Sequence, residues 1–157
     1  MRQSFGQDDE RRLPKAAIAL GLAGLAPQGA VVAGLLFGGT DVRFLALSLG
    51  YAYAALIFSF LGGLWWGLAA AGGGRTPGWV WIAAVAPSLL ALATAWPWAT
   101  GGPWPGPSLM VLGIAIASSL IVDLRLKMAG LTPAGWIALR APLSLGLGGL
   151  TFAVAVL

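Results

Sequence analysis

The sequence predicts an all-α polytopic membrane protein of five transmembrane helices, with the N-terminus cytoplasmic and the C-terminus periplasmic. Three observations predict it. Only 9% of the 157 residues are charged and 59% are apolar, whereas a soluble domain carries roughly 25% charged residues. The apolar residues gather into runs close to or above the length that a hydrocarbon core of roughly 30 Å demands of a helix, about 20 residues. The cations then fall on one side. With the N-terminus inside, Arg2, Arg11, Arg12, Lys15, Arg75, Arg125 and Lys127 share the inner side and Arg43 alone lies outside, the asymmetry that sets membrane orientation. Topology therefore accounts for the net charge of +4 and the pI of about 10.4, and no nucleic-acid partner is expected.

Residues 1–12 are polar and lack an apolar period, so they form a tail or a short docking arm ahead of a transmembrane domain over 13–157. The first span covers about 14–37. Pro14 suits its first helical turn, where a missing N–H costs nothing. Arg11-Arg12 ahead of an apolar run also fits an export signal. The run is longer than a signal core, however, and no small-residue cleavage site follows it. Pro27, near its middle, frees a backbone carbonyl and predicts a kink. Gly38 to Asp41 reads as a tight turn. The second span, 42–71, is longer than the membrane core, so it tilts or projects into the interface. Gly72 to Gly78 is a loop.

The third span, 79–96, contains Pro87 and ends at Trp96-Pro97-Trp98. Residues 97–107, rich in proline and glycine, read as an uncharged loop that adds Trp104. Its indoles suit the headgroup level, being apolar bodies with one N–H donor. The fourth span covers 107–129. Gly130 suits the position just past a helix, Thr132 an N-cap and Pro133 a first turn, so the fifth span is 133–157.

The chain has neither Cys nor His. Disulfides, thiol chemistry and Cys- or His-ligated metals are excluded, and the commonest general acid–base is missing. Asp123 and Arg140 are the candidate charged pair. They lie about two turns either side of the turn between the fourth and fifth spans, at similar depth on antiparallel helices. An isolated charge at such depth costs roughly 2.5–3.5 kcal/mol, and mutual pairing removes most of that cost. A hairpin clamp fits them best. A site for a lipid phosphate or other anion, and a proton relay, are the alternatives.

The second span carries a face of polar and small residues: Tyr51, Ala55, Ser59, Gly62 or Gly63, and Trp66. Gly63 and Gly67 form a small-xxx-small pair, as do Gly34 and Gly38. Such glycines let helix backbones approach closely. They serve helix packing within the chain, or a partner subunit or flat cofactor edge. Gln28 either satisfies the carbonyl that Pro27 frees or faces a polar ligand. Ser88, Ser118 and Ser119 are expected to bond back to helix carbonyls.

Several of these residues form an ordered pattern. It comprises Leu22-Ala23-Gly24-Leu25-Ala26-Pro27, Tyr51, Ser59-Phe60-Leu61-Gly62-Gly63 with Trp66-Gly67, Pro87-Ser88-Leu89, Asp123, Gly130, Pro133, Trp136 and Leu139-Arg140. In order and spacing the chain resembles the bacterial and mitochondrial transmembrane protein 69 family, domain-of-unknown-function family 3429, over roughly residues 14–150. The resemblance implies a small polytopic membrane protein with no established catalytic activity. It also implies that Asp123, Arg140, Gly63 and Trp66 belong to a shared architecture. Two positions depart from the family pattern. Trp65 stands where that pattern is often polar or basic, and Gln28 stands where relatives look more apolar.

The expected function is that of a non-enzymatic accessory or assembly subunit of a larger respiratory or photosynthetic complex. The expected location is the bacterial inner (cytoplasmic) membrane, with membrane lipids and other integral membrane subunits as partners. A small oligomeric transporter or channel is one alternative; its polar path would rest on Gln28, Tyr51, Ser59 and a few serines. A lipid- or quinone-binding membrane protein is the other, with no intrinsic cofactor and with lipid or quinone held against the Trp and Gly face. No catalytic or metal-binding residue is expected, because Asp123 has no second acid, His or Cys at its depth.

Overall fold

The computed structural model describes residues 14–157, and the predicted tail, including Arg2, Arg11 and Arg12, lies outside the described residues. The described chain is helical, with six helices making five spans: α1 (Lys15–Ala23) with α2 (Ala26–Phe37), α3 (Thr40–Gly72), α4 (Gly78–Thr100), α5 (Gly106–Met128) and α6 (Trp136–Val156). Each of the five is long and apolar enough to cross a bilayer, so the protein is a multi-pass membrane protein. At 33 residues, α3 is about 50 Å long and overshoots a roughly 30 Å core.

Three boundaries differ from the sequence expectation. The first span is two helices rather than one. It breaks at Gly24-Leu25, and Pro27 sits in the first turn of α2. The carbonyl exposed at the break, that of Gly24, accepts the Tyr53 hydroxyl. Gln28 does not serve it. The third span does not stop before Pro97: α4 continues to Thr100. Pro97 lies in the final turn, and its missing N–H leaves the Ala93 carbonyl without its helical partner. The Gly102 amide then closes the end on the Pro97 carbonyl at 2.7 Å, through Gly101 in the left-handed region at φ 73°. The fifth span begins at Trp136, three residues later than Pro133, because Gly135 at φ 82° cannot lie inside a right-handed helix. Thr132 makes no capping bond to it.

The spans pack chiefly in sequential pairs, α3 on α4 and α5 on α6, with α2 against α3 and α6. Without a hydrophobic drive between helices in lipid, close backbone approach is the main source of attraction. Glycines mark where it happens. A Cβ on Gly62 would lie 2.3 Å from the Ala84 carbonyl oxygen of α4. On α5 and α6, Cβ atoms on Gly113 and Gly148 would each meet the other's carbonyl oxygen, at 2.9 and 2.8 Å. One apolar core joins Ala54, Phe58, Leu61, Leu112, Ile116 and Leu147; a second joins Trp65, Ala69, Val80, Ala84 and Leu126 near the end that carries Arg75, Arg125 and Lys127. Helix α1 is the loosest element: none of its residues is buried.

Candidate functional site

Asp123 and Arg140 meet as the sequence predicts. Arg140 Nε donates to Asp123 Oδ2 at 2.8 Å, and both side chains are buried. Asp123 Oδ1 accepts two further bonds, from the indole Nε1 of Trp65 and of Trp136, both at 3.0 Å. One carboxylate therefore binds α3, α5 and α6 together. The guanidinium is held in turn by serines. Arg140 Nη2 donates to Ser144 Oγ at 2.9 Å and, more weakly, to Ser119 Oγ at 3.4 Å. Ser119 itself donates to the Ile116 carbonyl at 2.6 Å, the back-bonding expected of it.

Helical spacing assembles this cluster. Ser119 and Asp123 are four apart on α5, and Trp136, Arg140 and Ser144 are four apart on α6, so each set forms one row on the facing surfaces of the tightest helix pair. The depth is less than the sequence implied. Because α6 starts late, Arg140 lies about one turn from its helix end rather than two, and Asp123 about one and a half. Trp65 and Ser144 were not among the sequence candidates. The spacing from Arg140 to Ser144 could have revealed the serine. Trp65 places a neutral N–H donor beside the buried acid.

Arg140 keeps one free group. Its Nη1 makes no hydrogen bond among the described residues. Nor is it one of the fully covered polar atoms without a partner, which are Gln28 Oε1 and Trp104 Nε1, so it retains open space. Arg140 lines a cavity of about 440 Å³ between α1, α3 and α6. The rest of the lining is almost wholly apolar; Ser144 and Trp136 are its other polar side chains.

The polar and small face of α3 divides. Tyr51 and Ser59 reach α4: the Tyr51 hydroxyl donates to the Ala91 carbonyl at 3.2 Å and lies 3.1 Å from Thr94 Oγ1, and Ser59 Oγ lies 2.7 Å from Ser88 Oγ. Ser88 therefore bonds across helices rather than back to its own. Gly62 packs on α4. Gly63 and Gly67 do not pack within the chain: both are exposed, and a Cβ on either would meet nothing within 4 Å. They lie on the opposite side of α3 from Ala54, Phe58 and Trp65, one residue past the face that the core uses. Trp66 is 50% exposed beside them and rests edge-on against Trp81, with ring centroids 4.8 Å apart. Gly34 lies 3.9 Å, as a built Cβ, from the Ala46 side chain, an ordinary contact.

Gln28 is fully buried and donates to Thr151 Oγ1 at 3.2 Å, joining α2 to α6. Far from the Asp123 cluster, Trp104 stacks edge-on against Tyr51 with centroids 5.3 Å apart, and Ser108 donates to the Thr94 carbonyl at 2.7 Å. Arg43 donates to the Leu157 carbonyl at 2.7 Å. No group of three or more acidic, His or Cys side chains suited to a metal occurs among the described residues.

The family model described as "Protein of unknown function (DUF3429)" matches residues 13–156, and the chain belongs to that family. No curated protein and no solved structure matches the chain.

Proposed function

For this member of the family we propose a non-enzymatic accessory role: an integral membrane subunit that docks against another membrane-spanning chain through the outer face of α3. One observation carries the proposal. Gly63 and Gly67 form a small-xxx-small face that the bundle leaves open, next to the half-exposed ring of Trp66. Ala70 and Ala71 extend the same exposed surface towards the basic end. In lipid a flat backbone face offers little to acyl chains, and it offers close van der Waals approach to a second helix. The Asp123 cluster supports the role indirectly. With three donors on one carboxylate, it fixes α3 against α5 and α6, so the outer face is presented by a rigid element.

The host is proposed to be a respiratory or photosynthetic complex of a bacterial inner membrane. The basic end, with Lys15, Arg75, Arg125 and Lys127, is proposed to face the cytoplasm. A transporter draws less support, because the polar groups at mid-span are engaged: Tyr51 and Ser59 bond to α4, and Gln28 bonds to Thr151. The test is purification of the full chain from its native membrane in mild detergent, beside a variant carrying Gly63→Leu and Gly67→Leu. Wild-type protein is expected to co-elute with a second integral membrane chain in stoichiometric amount, and the variant to elute without it at unchanged helicity. Wild-type protein that elutes free of any partner defeats the proposal.

A further inference from the structure

We propose that the cavity between α1, α3 and α6 holds a neutral quinone-class molecule, with a ring carbonyl accepting a hydrogen bond from Arg140 Nη1. This is separate from docking through α3, since neither Gly63 nor Gly67 lines the cavity.

Four features converge on that occupant. The volume, about 440 Å³, lies within the range of small-molecule sites, roughly 300–1,000 Å³. The lining is apolar, with Ala17, Leu20 and Leu143 among its residues, so the body of the ligand is hydrocarbon. Phe60 and Trp136 also line it and supply aromatic surfaces for a flat ring. The polar element is a donor: Nη1 carries two N–H groups and has no partner among the described residues.

Charge decides between an anionic and a neutral head. Arg140 is already neutralised by Asp123 at 2.8 Å. A phosphate or carboxylate brought to Nη1 would leave the buried cluster with net negative charge, which an apolar surrounding penalises heavily. A ketone-type oxygen accepts the same bond and leaves the cluster neutral. The depth also suits such a head, because Arg140 lies about one helical turn inside the bundle end. Access is from the side, past α1. That helix buries none of its residues, and its link to α2 is broken at Gly24-Leu25.

The test uses the full chain in phosphatidylcholine nanodiscs and a decyl-tailed benzoquinone carrying a photoreactive azide, with labelled peptides mapped by mass spectrometry. Labelling is expected on cavity residues of α1 and α6, such as Leu20 and Leu143, and unlabelled decyl-benzoquinone is expected to abolish it. Arg140→Lys keeps the charge and loses the forked donors, and should lower the labelling by about tenfold, the effect of losing one good hydrogen bond in a desolvated site. Ala17→Phe, which fills the cavity and leaves the charged cluster untouched, should lower it at least as far, and this comparison stands even if the Arg140 variant does not fold. Labelling spread over the outer surface, labelling unchanged in Ala17→Phe, or equal competition by decylbenzene, which has the tail and ring but no carbonyl, would each overturn the proposal. The last of these outcomes would mark the cavity as an acyl-chain site.

Discussion

Replacing Asp123 by Leu removes the acceptor of three hydrogen bonds at once, those from Arg140 Nε and from the indoles of Trp65 and Trp136. Arg140, 5% exposed, is then a buried cation without a counter-ion. Breaking a buried pair from one side costs about 3–5 kcal/mol. Adding Arg140→Met removes the orphaned charge and should return about 2 kcal/mol or more. Recovery is incomplete because the two indole N–H groups remain unpaired, at about 1–3 kcal/mol for each that stays dry. Adding Trp65→Phe and Trp136→Phe to the double variant should therefore return a further increment. The assay is reversible unfolding in mixed micelles under rising SDS, followed by far-UV circular dichroism. The expected order of stability is wild type, then the quadruple variant, then the double, then Asp123→Leu. A double variant as unstable as Asp123→Leu would refute the reasoning, since uncompensated charge would then not be the source of the loss.

Other substitutions test the packing. Gly62→Ala places a Cβ 2.3 Å from the Ala84 carbonyl oxygen and should destabilise by about 1–3 kcal/mol, whereas Gly63→Ala meets no neighbouring atom and should be neutral or mildly stabilising; equal effects in a thermal melt would contradict the assigned faces of α3. Gln28 is buried with its Oε1 unpaired, so Gln28→Leu combined with Thr151→Val should leave stability unchanged or raise it by about 1 kcal/mol, and a loss above about 2 kcal/mol would show that the amide does more than join α2 to α6. Gly135 holds φ 82° directly before Trp136, so Gly135→Ala should cost about 1–2 kcal/mol and shift the near-UV circular dichroism through the Trp136 indole, one of the two bound to Asp123; an unchanged spectrum and melt would count against that turn.

The architecture was largely legible because lipid imposes a simple rule. Spans must be apolar, about 20 residues long and internally hydrogen-bonded. Composition and the positions of Lys and Arg then give five spans, and the cost of lone charges gives Asp123 with Arg140. What was not legible depends on angle and on local backbone. Gly62 and Gly63 are adjacent, yet one touches α4 and the other faces outwards. A nearly uniformly apolar helix carries no polar–apolar contrast to say which is which. The mutual approach of Gly113 and Gly148 falls in helices where glycine offers no hydropathy signal. Pro97 marked a loop by habit, yet α4 takes it into its last turn and runs on to Thr100. Thr132-Pro133 looked like a helix start, and the left-handed turn at Gly135 moved that start to Trp136. Trp65 was hidden for a different reason. An indole inside an apolar run reads as packing, and only the folded chain shows that its N–H serves a carboxylate 58 residues away.

The docking face of α3 is open to a direct measurement, because the natural chain contains no cysteine. Single variants Gly67→Cys on α3 and Gly149→Cys on α6 place unique thiols at two open, outward positions. Both are treated in intact native membranes with a short thiol-to-amine photocrosslinker. A discrete adduct with another membrane-spanning chain from position 67, and none from position 149, is the predicted result; no adduct from position 67, or the same adduct from both, contradicts it.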